Sequence, residues 1–164
     1  MIRVNKREKA IYYAEQQTKN GSCYVWSGQG EKLLKLTIKD IIAMEQSLEA
    51  AARVFKHIAE LLINQKITSK SKVFDCSGLV IKALIYAGVL HAGFDTTADG
   101  LLKKFPEPSE AWPGDLVFKV NANGKAYHVG ILKDKQTVIE AAGRETGIIE
   151  SPYNSKWNAV RTPY

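Results

Sequence analysis

Three side chains that lie far apart in this sequence, Cys76, His128 and Glu140, could together carry out hydrolytic chemistry. Cys76 stands in Phe74-Asp75-Cys76-Ser77-Gly78, where a polar link enters an apolar run ending at Ala87-Gly88. If that run is a helix, the thiol lies at its N-terminal end. Unpaired backbone N–H groups and the positive end of the helix dipole would favour a thiolate there. The same N–H groups suit the oxyanion of an acyl-transfer intermediate. His128 belongs to Ala126-Tyr127-His128-Val129-Gly130-Ile131-Leu132, which reads as a strand with His128 and Gly130 on one face. An imidazole exchanges protons near neutral pH, and beside a thiol it forms a nucleophile–base pair. Glu140 is a lone carboxylate in Val138-Ile139-Glu140-Ala141-Ala142, so its burial demands a cation or a donor. A turn centred on Asp134 would place residues whose numbers sum to 268 face to face. His128 and Glu140 would then be direct cross-strand neighbours, with Cβ atoms about 5 Å apart. A one-residue slip would separate them.

The surrounding pattern supplies elements to hold these residues. Residues 6–19 read as a first helix, ended by Asn20-Gly21. An aromatic loop follows, 22–30. Ile41, Met44, Leu48, Ala51, Phe55, Ile58 and Leu62 then recur at helical steps, predicting one amphipathic helix over 40–62. The Cys76 helix comes next and a short helix over 96–104 follows. After Gly114 the texture turns to short β-favouring runs at 115–120, 126–133, 137–142, 147–151 and 157–162, several separated by turn signals such as Asn123-Gly124. Helices first and an antiparallel sheet afterwards is an α+β order. No glycine-rich loop joins a strand to a helix, which disfavours a dinucleotide or P-loop fold.

Composition narrows the classes further. The chain has 164 residues, 45% hydrophobic and 24% charged, the balance of an ordinary globular domain. No apolar run approaches the ~18 residues of a membrane span. The basic N-terminus is followed by no apolar segment, so no signal peptide is expected. Two cysteines and three histidines, without metal-ligand spacing, predict neither a disulfide framework nor a zinc site. A formal net charge of +6 suits polyanionic partners. The lysines are scattered, however, and no basic helix or stacking platform points to nucleic acid.

Four segments, in order, resemble the NlpC/P60 cysteine peptidases. Phe74-Asp75-Cys76-Ser77-Gly78-Leu79-Val80 resembles the nucleophile motif of that family. Trp112-Pro113-Gly114-Asp115-Leu116-Val117-Phe118 and His128-Val129-Gly130-Ile131 resemble its Pro-Gly-Asp strand and base-bearing strand. Ser22-Cys23-Tyr24-Val25-Trp26-Ser27-Gly28 is similar to its Tyr-x-Trp-Gly-Gly loop. The likeness covers most of the chain outside roughly 31–72.

It implies a papain-like α+β fold over 1–164, with N-terminal helices packed on a C-terminal antiparallel sheet and a helical insertion at 31–72. It also implies cleavage of bacterial cell-wall stem peptides, typically between D-γ-glutamyl and the diamino acid, without metal or organic cofactor. Cys76 would be the nucleophile, His128 the general base and Glu140 the third catalytic position. Tyr24, Asp75 and Ser77 match positions that shape the site and bind the peptide. The implied partners are peptidoglycan stem peptides, with no nucleic acid and no stable membrane insertion. The 40–62 helix offers a face for the core, a lid, an inhibitor or self-association. A wall enzyme without a signal peptide suits a phage-type lysin or an exported effector. A CHAP-like N-acetylmuramoyl-L-alanine amidase and a non-catalytic wall- or partner-binding relative are the alternatives.

The sequence also departs from the family pattern. The third position is usually His, less often Asn, Asp or Gln; a carboxylate can also orient an imidazole, with a tighter imidazolium pair and a different pH profile. Cys23 takes a slot where Pro is common; it is more simply a thiol beside a loop than a disulfide partner for Cys76. Ser27 stands where the first Gly is usual. Arg144 and Lys125 could meet peptide carboxylates but read more simply as turn residues. His57 reads as a surface residue off the apolar stripe and His91 as a loop residue.

Overall fold

The structure, a computed structural model, describes residues 5–164. Helix α1 (Lys6–Lys19) opens with a reciprocal cap: the Asn5 side chain accepts from Glu8 N, and the Glu8 carboxylate accepts from Asn5 N. Short strands β1 (Cys23–Tyr24) and β2 (Gln29–Lys32) follow, then a 3-10 turn at Leu33–Lys35. Helices α2 (Ile38–Glu45) and α3 (Leu48–Ile63) lead to β3 (Lys72–Phe74). After β3 come α4 (Cys76–Tyr86) and α5 (Ala98–Lys104). The remaining strands are β4 (Leu116–Val120), β5 (Ala126–Leu132), β6 (Thr137–Gly143), β7 (Gly147–Pro152) and β8 (Ala159–Arg161). They form one antiparallel sheet in the order β7-β6-β5-β4-β8. This is the α+β arrangement that the sequence predicts.

The main core lies between α4 and one face of this sheet. Leu79, Val80, Ile81 and Leu84 of α4 meet Leu116, Phe118, Val129, Ile131 and Ile139, all fully buried, with Ala10 and Ala14 of α1 closing the side. Each buried aliphatic side chain contributes about 1.5–3 kcal/mol, enough to fix α4 against β5. The opposite face of the sheet carries a smaller cluster of Val117, Leu132, Val138 and Trp157.

The start of β4 is tied to α1. Asp115, fully buried, accepts from Arg7 Nη1 at 2.6 Å and from Trp112 N at 2.8 Å. Gly114 adopts φ +96°, and a Cβ there would lie 2.8 Å from Arg7 Cβ. The Pro-Gly-Asp motif is therefore a structural clasp.

Three expectations require correction. The predicted helix over 40–62 is two helices. Gln46 takes a left-handed conformation (φ +57°), and Ser47 caps α3 by accepting from Ala50 N. The apolar periodicity hid this break because α2 and α3 pack on one cluster: Ile41, Ala51 and Val54 with Val25, Leu33 and Val73. The 22–30 loop contains β1 and part of β2, which flank β3 in a second sheet ordered β1-β3-β2. Finally, Ile131 faces Ile139 and Leu132 faces Val138, so paired residues sum to 270, not 268. The two-residue shift keeps His128 and Glu140 on one face but makes them diagonal neighbours.

Candidate active site

Helix α4 begins at Cys76, and its cap is Asp75. The Asp75 Oδ1 accepts from Gly78 N at 2.7 Å and from Ser77 Oγ at 3.1 Å. Gly78 has no alternative: a Cβ there would lie 2.0 Å from the carbonyl oxygen of Gly28. That close approach, with Asp75 N donating to Gly28 O at 3.0 Å, locks the aromatic loop onto the start of the helix. Tyr24 pairs with Phe74 in the parallel β1–β3 ladder and so stands beside the segment that delivers Cys76. Ser27 holds φ +59°, which explains why glycine suits this position.

Cys76 is half-buried, and the backbone N–H groups of Val129, Ser77 and Cys76 itself reach its thiol. Burial, followed by the nearby Asp75 carboxylate, pushes the thiol up to about 11 against those donors. The helix start alone therefore does not produce the thiolate that position suggested. Asp75 is itself pushed up by burial, opposed by its bonds from Gly78 and Ser77. Burial, then the charges of Cys76 and Asp75, raises the Tyr24 phenol well above its ordinary range.

His128, on the strand that supplies the Val129 N–H, is hydrogen-bonded through Nε2 to Glu140 Oε2. Its Nδ1 makes no hydrogen bond among the described residues. Glu140 is buried, and Ser151 Oγ donates to its Oε1 at 2.5 Å. Lys119 Nζ lies 4.0 Å from Oε2 and 4.5 Å from the centre of the Trp157 ring. Burial pushes the Glu140 carboxyl up, but the bonds from His128 and Ser151 and the charges of His128 and Lys119 outweigh it and hold it below the ordinary range. Trp157 stacks at a tilt on His128, ring centres 5.5 Å apart. The structure groups Tyr24, Asp75, Cys76 and Ser77 at the start of α4, and it groups His128 and Glu140 with Trp157 on the neighbouring strands, next to Val129 of β5. An open cleft of about 330 Å³ runs from Asp75 and Ser77 past Trp26 and Gln29 to Asp95 and Thr97.

Several contributors were invisible in the sequence. Glu45, the last residue of α2, has a fully buried side chain. It accepts from Trp26 N at 2.8 Å and from Arg144 Nε at 2.6 Å. Ser151 and Lys119 reach Glu140 only through strand pairing. The one sequence signal for Glu45 was a carboxylate one residue beyond the apolar Met44. Cys23 is fully buried in the cluster beneath α3, and burial pushes its thiol up to about 12. Both cysteines are free, and Cys23 belongs to packing. His57 is not a surface residue: it packs under the β6–β7 turn, and its Nδ1 is buried with no hydrogen-bond partner among the described residues. His91 and Lys125 are exposed.

Comparison with known proteins identifies the family and the fold. The model of the NlpC/P60 family matches residues 64–162. No curated protein sequence matches the chain. Among solved structures, the fold is similar to RipD from Mycobacterium tuberculosis, described as a non-catalytic NlpC/p60 domain protein adapted to peptidoglycan binding. That likeness has a TM-score of 0.56 at 18% identity, over 96% of this chain and 93% of that one. The peptidoglycan hydrolase RipB of the same organism gives a TM-score of 0.57 at 21% identity, over 99% and 68% of the two chains. NlpC2 from Trichomonas vaginalis gives 0.59 at 19% identity, over 98% and 47%. With the family model running from the end of α3 to β8, over more than half of the sequence, the chain belongs to the NlpC/P60 family.

Proposed function

We propose that the protein is a cysteine endopeptidase of bacterial cell-wall stem peptides, acting at the D-γ-glutamyl–diamino acid type of bond. Residues 1–164 would form one catalytic unit, with 31–72 as a helical insertion. The observation that carries this reading is the orientation of His128. Its Nε2 is committed to Glu140, which leaves Nδ1 free on the strand whose Val129 N–H meets the Cys76 thiol.

In this reading the thiol, protonated at rest, gives its proton to His128 Nδ1 as sulfur attacks the peptide carbonyl carbon. The oxyanion of the tetrahedral intermediate is met by the N–H groups of Cys76 and Ser77. At rest these N–H groups face the thiol, and they turn to the oxyanion as sulfur bonds to carbon. Collapse breaks the C–N bond, and His128 returns the proton to the leaving amine. Water then attacks the thioester, giving its proton to His128, and the thiol is released. Glu140 fixes the ring orientation and stabilises the imidazolium. Tyr24, Asp75 and Ser77 shape the peptide site.

A second reading, a binding protein for wall peptides without turnover, is favoured by the thiol held protonated at about 11. Incubation of a synthetic L-alanyl-γ-D-glutamyl-diaminopimelate peptide with wild type, Cys76→Ala and His128→Ala separates the two. The peptidase reading expects cleavage by wild type alone. Tight binding without cleavage by any of the three supports the binding protein.

A further inference from the structure

We infer that Arg144 is a carboxylate receptor at the candidate active site, presented by the buried Glu45 of the inserted helices, and that it selects peptides bearing a free α-carboxylate on the glutamyl residue. This rests on the peptide-site reading above and names its selectivity.

Arg144 lies in the β6–β7 turn, four residues beyond Glu140. Its guanidinium carbon is 5.6 Å from the centre of the Tyr24 ring, and its charge acts on the same phenol as those of Cys76 and Asp75. Its only hydrogen bond among the described residues runs from Nε to Glu45 Oε2 at 2.6 Å. Glu45 is fully buried, and its second oxygen is taken by Trp26 N, so it cannot swing to follow another partner. A buried carboxylate with both oxygens committed holds the guanidinium plane in one orientation.

What remains free is the Nη edge. Neither Nη donates a hydrogen bond among the described residues, and the side chain is 23% exposed. Two parallel N–H donors in a fixed plane match a carboxylate bidentately and match a carboxamide poorly, because an amide presents one acceptor and two opposing donors. The neighbouring cleft has the opposite character: Asp75 and Asp95 line it, and among the described residues no cation does. A peptide would therefore meet acidic groups on the Trp26–Asp95 side and a guanidinium on the Tyr24 side. Glu45 and the α2 insertion that carries it thereby help set selectivity.

The test uses two peptides that differ in one group: L-alanyl-γ-D-glutamyl-diaminopimelate and its D-isoglutamine form, in which the α-carboxylate is a carboxamide. Affinities are measured by calorimetry on Cys76→Ala, alone and combined with Arg144→Gln or Arg144→Lys. The expected result is tighter binding of the free acid by about ten- to hundredfold. Arg144→Gln should erase that difference by weakening the acid alone, and Arg144→Lys should keep part of it. If Arg144→Gln does not fold, the acid–amide comparison in Cys76→Ala and in the Lys variant still decides. Equal affinities, no binding of either peptide, or a preference that survives Arg144→Gln would overturn the inference. Selective binding without cleavage by the Cys76-containing protein would sink the peptidase and leave the receptor standing.

Discussion

His128 gives Nε2 to Glu140 and keeps Nδ1 free, although strand register places the two residues diagonally and not face to face. The glutamate side chain is long enough to span the diagonal. Ser151 of β7 and Lys119 of β4 then secure the carboxylate from the two strands that flank the β5–β6 pair. In the proposed mechanism this arrangement would let a glutamate stand where histidine is usual: an ionised carboxylate only accepts, so Nε2 carries the proton and Nδ1 is the basic atom.

The resting thiol should be poorly reactive. With Cys76 pushed up to about 11, alkylation by iodoacetamide should climb throughout the range from pH 7 to pH 10, with Cys23 silent. A rate already at its plateau near pH 6 would mean a preformed thiolate–imidazolium pair.

Glu140→Gln removes a charge-assisted network and should cost about 1.5–3 kcal/mol at pH 7. Because the folded carboxyl lies below its unfolded value, its stabilisation is present above the ordinary glutamate range and is lost as pH falls through the folded value. The melting temperatures of wild type and variant should therefore converge on acidification toward pH 3. Curves that stay parallel down to that pH contradict the assignment.

Asp115→Ala leaves Arg7 and the Trp112 N–H without their partner and opens a fully buried site. The expected loss is about 3–5 kcal/mol by urea denaturation. A loss below 1 kcal/mol would show that the Pro-Gly-Asp clasp does not hold α1 to the sheet.

Ser27→Gly should be neutral or stabilising by up to about 1 kcal/mol, since the left-handed backbone of Ser27 is relieved while the unfolded chain gains freedom. A drop in melting temperature of several degrees would point to a role for the serine hydroxyl instead.

Much of this was legible before any coordinates. The order of helices and strands, the placement of Cys76 at a helix start, and the sharing of one face by His128 and Glu140 follow from periodicity and parity. Parity survives a two-residue shift in register, so the two residues share a face whichever of the two turns the hairpin takes. Distances along the chain hid the rest. The thiol's protonation depends on burial against β5, which no local pattern records. The break at Gln46-Ser47 was masked by apolar residues that continue on both sides because α2 and α3 share one cluster. Glu45 lies 99 residues from Arg144, and nothing in either segment announces the other.

The most direct measurement is mass-spectrometric analysis of purified peptidoglycan digested with wild type and with Cys76→Ala. The account predicts fragments ending at D-glutamate with new amino termini on the diamino acid, released by wild type and absent with Cys76→Ala. New amino termini at L-alanine would instead make the protein an amidase, and no products from several wall chemistries would contradict hydrolysis altogether.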